Sequence, residues 1–232
     1  NALHYFTQAL SIDPANPVAK KNCKKIRIKL GLPPAGLAPV SAPPQYELEA
    51  IKNRINAGDY ETARRSCEAL SEAFPKSIHL LDIWFHLYYA VGEFERCLQL
   101  CSDMLEVGGS PDLIYYNQGN VYCKLGRDWD AVESFDRALG FNTRKADAHN
   151  NRATTLLRLG RLEEAERGFF AATKADPHSC SAFTNLALTR MNLGQYEKAL
   201  ESANSALRLN PKHAEALNIR GLVLKALKRH DE

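Results

Sequence analysis

Three asparagines recur at an interval of 34 residues: Asn117 in YYNQGN, Asn151 in HNNRAT and Asn185 in FTNLAL. A carboxamide carries one acceptor oxygen and two donor hydrogens. That complement matches a peptide unit, so a row of such groups can pair with main chain whatever side chains the main chain carries. Tyr116, Asn120, Tyr122, Asn150 and Asn218 stand close to the same rhythm and are read as secondary contacts, with Tyr115 beside them. A plainer role competes: an asparagine at such a place can simply cap a neighbouring loop. On either side of the run the same beat holds Ile83 and Ile219, so the row is three units long.

Whatever positions these residues must itself repeat every 34 positions. Glycine falls at Gly58, Gly92, Gly126, Gly160 and Gly194, with Lys228 on the next beat. A fixed period of this size is the signature of stacked supersecondary units. Each unit reads as two helices. Helix A ends near Asn56, Ala90, Lys124, Arg158 and Asn192; a glycine turn follows; helix B then runs through stretches such as EEAERGFFAATKA. Small residues recur where helices must cross: Ala63, Cys97, Ala131, Ala165 and Ala199 on one beat, and Ala138, Ala172 and Ala206 on another. Small side chains let helix axes approach to the near end of about 8–10 Å. Tyr60, Phe94, Leu162 and Tyr196 are expected to fill the hole between A and B. In the third copy Asp128 takes that beat, and Trp129 is expected to do the filling.

Taken in order, residues 1–30 read as a partial repeat: a helix B, then a basic helix opened by Pro17. Residues 31–45, with five prolines and two glycines, read as a semi-rigid linker. Residues 46–232 read as five units plus a final unpaired helix A from Glu215 to Leu227. That last helix is expected to expose Leu217, Ile219, Val223 and Leu227, an edge that could pair with a second copy to give a homodimer.

Composition narrows the function. A net charge of +3 is too small for the whole-chain field to imply a nucleic-acid or membrane partner. No apolar run approaches the roughly 20 residues that cross a bilayer. The basic stretch at 17–30 lacks interleaved aromatics and reads as a solvated face. Six cysteines without a CxxC, and no glycosylation sequon, point to the reducing cytoplasm. Cys97 and Cys101 lie one helical turn apart, but nothing nearby completes a tetrahedral metal set, so they read as core filler. No HExxH, GxSxG or phosphate-loop pattern occurs. The expectation is a protein without catalysis, cofactor or metal, binding another protein or peptide.

The phased turns and the segments AHNNRATTLLRLGRLEEAERGFFAATKADP and AFTNLALTRMNLGQYEKALESANSALRLNP resemble the tetratricopeptide repeat (TPR) family. The resemblance implies an all-α, right-handed α-solenoid of antiparallel helix hairpins, with helix A lining a concave groove that holds an extended peptide. The row Asn117, Asn151 and Asn185 resembles the asparagine ladder of O-linked N-acetylglucosamine transferases, where such residues grip a peptide backbone. The layout also resembles bacterial TPR arrays of transferase-like and sulfotransferase-like proteins, which gives a second expectation: a substrate-presenting or regulatory arm of a larger glycosyltransferase or sulfotransferase. The family's carboxylate clamp is matched only at Asn120 and Asn151. Its cationic beats hold Tyr116, Ser181 and Asn185, and neutral donors bind a carboxylate about half as strongly. A chaperone-tail reader is therefore not expected.

Overall fold

A computed structural model describes residues 42–228, together with Val18, Lys21, Asn22 and Lys25, which are helical. Apart from those four positions, the expected partial repeat at 1–30 lies outside the described residues. So do residues 31–41 of the expected linker at 31–45 and the closing residues 229–232. Among the described residues there are helices and no strands. The chain divides into two compact units, one up to Val91 and one from Gly92.

In the first unit, α1 (Gln45–Asn56), α2 (Tyr60–Ala73) and α3 (Ile78–Val91) pack on one another. Leu48, Ile51 and Ile55 of α1 meet Ala63 and Cys67 of α2 and Leu80, Ile83 and Leu87 of α3 in one buried cluster. Trp84 packs against its rim and donates its ring N–H to Ser71 Oγ at 3.0 Å, so its one polar atom has a partner. Lys52 of α1 reaches Asp82 of α3 at 3.3 Å.

The second unit opens with α4 (Phe94–Glu106). Three helix pairs follow: α5 (Pro111–Lys124) with α6 (Asp128–Phe141), α7 (Ala146–Arg158) with α8 (Leu162–Ala175), and α9 (Cys180–Asn192) with α10 (Tyr196–Leu209). The last described helix, α11 (Ala214–Ala226), packs on α10 and α9. This is an α-solenoid of hairpins, each second helix also touching the first helix of the next pair. Cys97, Ala131, Ala165 and Ala199 are fully buried at the crossing beat, and Ala138, Ala172 and Ala206 are buried at the other. Phe135 and Phe169, with Cys101 on their beat, fill the interior completely. Each such ring contributes roughly 1.5–3 kcal/mol of transfer free energy. Packing is tight at Gly119, where an added Cβ would lie 2.6 Å from the Phe135 ring.

Local chemistry sets the corners. At the end of α7, Gly160 takes φ +73°, Gly160 N–H donates to Leu157 O at 3.0 Å and Arg161 N–H to Leu156 O at 2.9 Å. That bond pair closes the helix with a left-handed residue, where glycine lacks the Cβ penalty. The following helix starts with acids at its positive end: Asp128 and Asp130 in α6, Glu163 and Glu164 in α8, Glu197 in α10. Between pairs, a side-chain turn recurs every 34 residues. Asn142, Asp176 and Asn210 accept through Oδ1 from the N–H two residues on, at 3.2, 2.9 and 3.1 Å. This explains why the third copy turns without a proline: its asparagine makes the bend.

Three expectations are corrected. Tyr60, expected to fill the hole between helices A and B of its copy, is 36% exposed. Trp129 does not fill a hole; it is 59% exposed, with the Arg161 guanidinium 5.9 Å from its ring centroid. Asp128 instead forms an ion pair with Arg158 of the next helix A, so the place is held by charge rather than bulk. At the closing edge, Ile219 (2% exposed) and Val223 (0%) are buried against α10 together with Leu224, and Leu227 packs on the same cluster. Of the four residues expected to be bare, Leu217 alone is exposed, at 45%. The reason is that α11 turns its apolar stripe onto the preceding pair.

Candidate functional site

The first helices of successive pairs, α5, α7 and α9, lie side by side in the second unit. Along this row the side chains form a continuous line of amides. Asn185 Nδ2 donates to Asn150 Oδ1 at 3.1 Å. Asn150 Nδ2 donates to its neighbour Asn151 Oδ1 at 3.4 Å. Asn151 Nδ2 donates to both Asn120 Oδ1, at 2.9 Å, and Tyr116 Oη, at 3.2 Å. All five residues are half-buried, so these bonds are shielded without being sealed from a ligand.

Threonines fix the backbone beneath. Thr155 and Thr189 are buried and donate back to Asn151 O and Asn185 O, each at 2.8 Å. Thr154 does the same to Asn150 O at 2.9 Å. Thr155 also lies 3.3 Å from Cys123 Sγ on α5, tying the two helices below the amides.

A charged cluster borders the row. The Lys145 ammonium lies 5.0 Å from the Tyr116 ring centroid and 3.5 Å from Asp112 Oδ2. Asp112 also accepts from Ser110 Oγ at 2.6 Å and from Asn142 Nδ2 at 3.3 Å. The Ser110 bond, then those from Asn142 and Lys145, hold its carboxyl below the ordinary carboxylate range despite some desolvation. Lys145 is therefore balanced locally while its positive end faces the tyrosine.

The residues singled out from sequence divide into two groups. Asn120, Tyr116, Asn150, Asn151 and Asn185 come together in one network. Asn117 is half-buried on the same helix as Asn120, and among the described residues it is not joined to this network. Tyr122 stands apart from the row, under the Arg127 guanidinium at 4.6 Å from its ring centroid. Asn218 is exposed on α11 and is not joined to the network; beside it the beat of Asn151 and Asn185 is taken by buried Ile219. Tyr115 faces another way again, stacked on Phe141 with ring centroids 6.0 Å apart.

Sequence reasoning found the members but missed how they connect. The bonds run between positions 31 and 35 residues apart, not 34. Neighbouring helices meet on facing flanks, so partners are displaced from the strict beat. Lys145 and the threonines four residues after Asn150, Asn151 and Asn185 also went unread; the recurrence of Thr155 and Thr189 was the available signal.

Nothing in the row activates a nucleophile. Burial pushes the thiols of Cys67, Cys97 and Cys101 up to about 12, so they stay protonated. Among the described residues no group of three or more His, Cys, Asp or Glu side chains could hold a metal ion. No helix among them is long and apolar enough to cross a membrane.

The chain belongs to the tetratricopeptide repeat family: the family profile matches residues 105–179 and 184–232, more than half of the sequence. Its fold is similar to that of YrrB, described as a TPR protein with an unusual peptide-binding site, at 21% identity over 92% of this chain and 96% of that one, with a TM-score of 0.57. It is similar also to PilW, a widely conserved type IV pilus biogenesis factor, at 22% identity over 80% and 86% of the two chains, with a TM-score of 0.66. MamA matches at 19% identity over 71% of this chain and 96% of its own, with a TM-score of 0.62. The repeats mark a protein-interaction scaffold; these structural likenesses concern the fold.

Proposed function

We propose that this protein is a non-catalytic scaffold that holds an extended peptide segment along the inner wall formed by α5, α7 and α9. The single observation that supports this reading is the line of half-buried amides joining Asn120, Asn151, Asn150 and Asn185 across three successive pairs. Amides suit main chain because they supply donors and acceptors together and ignore side-chain identity. Tyr116 extends the row at one end; Asn117 beside it, Tyr122 and Asn218 serve as outlying contacts. The same wall would serve a substrate-presenting arm of a larger glycosyltransferase or sulfotransferase, and a catalytic domain in the native reading frame would favour that use. Among the described residues the thiols Cys67, Cys97, Cys101, Cys123 and Cys180 are free, which suits a reducing compartment and supports a cytoplasmic setting.

The test is a triple substitution, Asn117→Ala, Asn151→Ala and Asn185→Ala, probed against an array of unbiased peptides. Binding should vanish while the far-ultraviolet dichroism stays unchanged. Unaltered peptide capture by the triple variant would sink the reading.

A further inference from the structure

The asparagines of the row are not equivalent, and the difference lies in which hydrogen-bonding positions are already occupied. Asn151 has both N–H groups engaged, at 2.9 Å to Asn120 Oδ1 and 3.2 Å to Tyr116 Oη, and its oxygen accepts from Asn150 at 3.4 Å. Little is left on it for a ligand. Its neighbours differ. Asn120 accepts and keeps both of its own N–H donors, and Tyr116 accepts and keeps its O–H. Asn185 donates once and keeps its oxygen and its second N–H. Within this network the inter-helix donations run from α9 to α7 to α5, so Asn120 and Tyr116 on α5 present donors while Asn185 on α9 presents its oxygen beside one N–H.

We propose that Asn151 is a positioning residue, and that the ligand is gripped by the groups on either side of it: Tyr116 and Asn120 on α5, and Asn185 on α9. The proposal rests on the peptide-binding reading above. It specifies the ligand further: an extended main-chain segment that places a carbonyl oxygen over α5 and an N–H over α9. Two helix spacings of about 8–10 Å and a rise of about 3.3 Å per residue make that segment roughly five or six residues long. Asn151 contributes by holding the Asn120 oxygen inward, which turns the Asn120 N–H pair outward. Linked hydrogen bonds also polarise one another, so the donors on α5 are strengthened by the chain behind them.

The probe is an acetylated, amidated hexapeptide of alternating glycine and serine, titrated into the isotope-labelled whole chain and followed by nuclear magnetic resonance. The side-chain amide signals of Asn120 and Asn185 should move saturably, and that of Asn151 far less. Asn151→Leu and Asn120→Ala should each weaken binding about three- to tenfold, the loss expected for one hydrogen bond, and the double variant should be no weaker than either alone. Asn151→Ser provides the same comparison should the leucine variant not fold. An Asn151 signal that moves as far as Asn120, or losses that multiply in the double variant, would make Asn151 a contact and overturn the proposal while leaving peptide binding intact. A probe that moves none of the three signals overturns the peptide-binding reading and this proposal with it.

Discussion

Asn151 Nδ2 donates to Asn120 Oδ1 at 2.9 Å, joining two helices whose residues are 31 positions apart. The bond matters twice: it ties α7 to α5, and it orients an amide at the candidate site. Its structural part can be measured without any ligand. Asn151→Leu removes the donations to Asn120 and Tyr116 and leaves their oxygens half-buried. The expected loss of stability is about 1–3 kcal/mol, read from urea denaturation. A variant as stable as the parent would show that the bonds are replaced by water at no cost.

Gly119 of α5 lies directly against the ring of Phe135 on α6. Gly119→Ala places a Cβ 2.6 Å from a ring that is fully buried. Overpacking of this kind costs about 1–3 kcal/mol. Phe135→Leu in the same chain should recover part of that loss. If the double variant is no more stable than Gly119→Ala alone, the ring is not the obstacle.

Gly160 holds φ +73° in the turn between α7 and α8, with open space around an added Cβ. Backbone strain is therefore the whole penalty. Gly160→Ala should destabilise by about 1–2 kcal/mol, and Gly160→Asn by less, since asparagine tolerates the left-handed region. Thermal midpoints of the two variants rank this directly.

Asp112 links acidity to stability. Its carboxyl in the folded chain lies below the ordinary value, chiefly through the Ser110 hydrogen bond. A depressed acid contributes stability that is fully present above its unfolded pKa of about 4 and is lost as pH falls through the lower folded value. Stability should therefore decline on acidification below about pH 4, and Asp112→Asn should flatten that part of the curve. An identical acid profile in the variant would assign the decline to other carboxylates.

The buried thiols offer a probe of packing. With burial holding Cys67, Cys97 and Cys101 up to about 12, an aromatic disulfide reagent should modify them only as denaturant opens the chain. Half-buried Cys123 and Cys180 should react first. Rapid native-state labelling at Cys101 would contradict the packing described here.

Much of the architecture was legible because packing demands it. A crossing that favours a small side chain repeats as Cys97, Ala131, Ala165 and Ala199, and a left-handed turn, which favours glycine, repeats as Gly126, Gly160 and Gly194. Side-chain placement at the edges was less legible. Trp129 looked like filler by size, but the ion pair between Asp128 and Arg158 already holds that corner. Ile219 and Val223 looked bare because helix α11 has no described partner after it, yet the pair before it suffices to cover them. The amide line was half legible: spacing named Asn151 and Asn185, while the offset of facing flanks, which decides who bonds to whom, depends on how the helices lie against one another.

The recurring bend at Asn142, Asp176 and Asn210 has a consequence for how this wall changes size. Excising residues 143–176 would join one bend to the start of the next pair without disturbing phase. Asn185 would then inherit the place of Asn151 opposite Asn120. Lengthening or trimming such a chain proceeds in whole modules, so the reach of whatever it holds is adjusted in discrete steps, one helix spacing at a time.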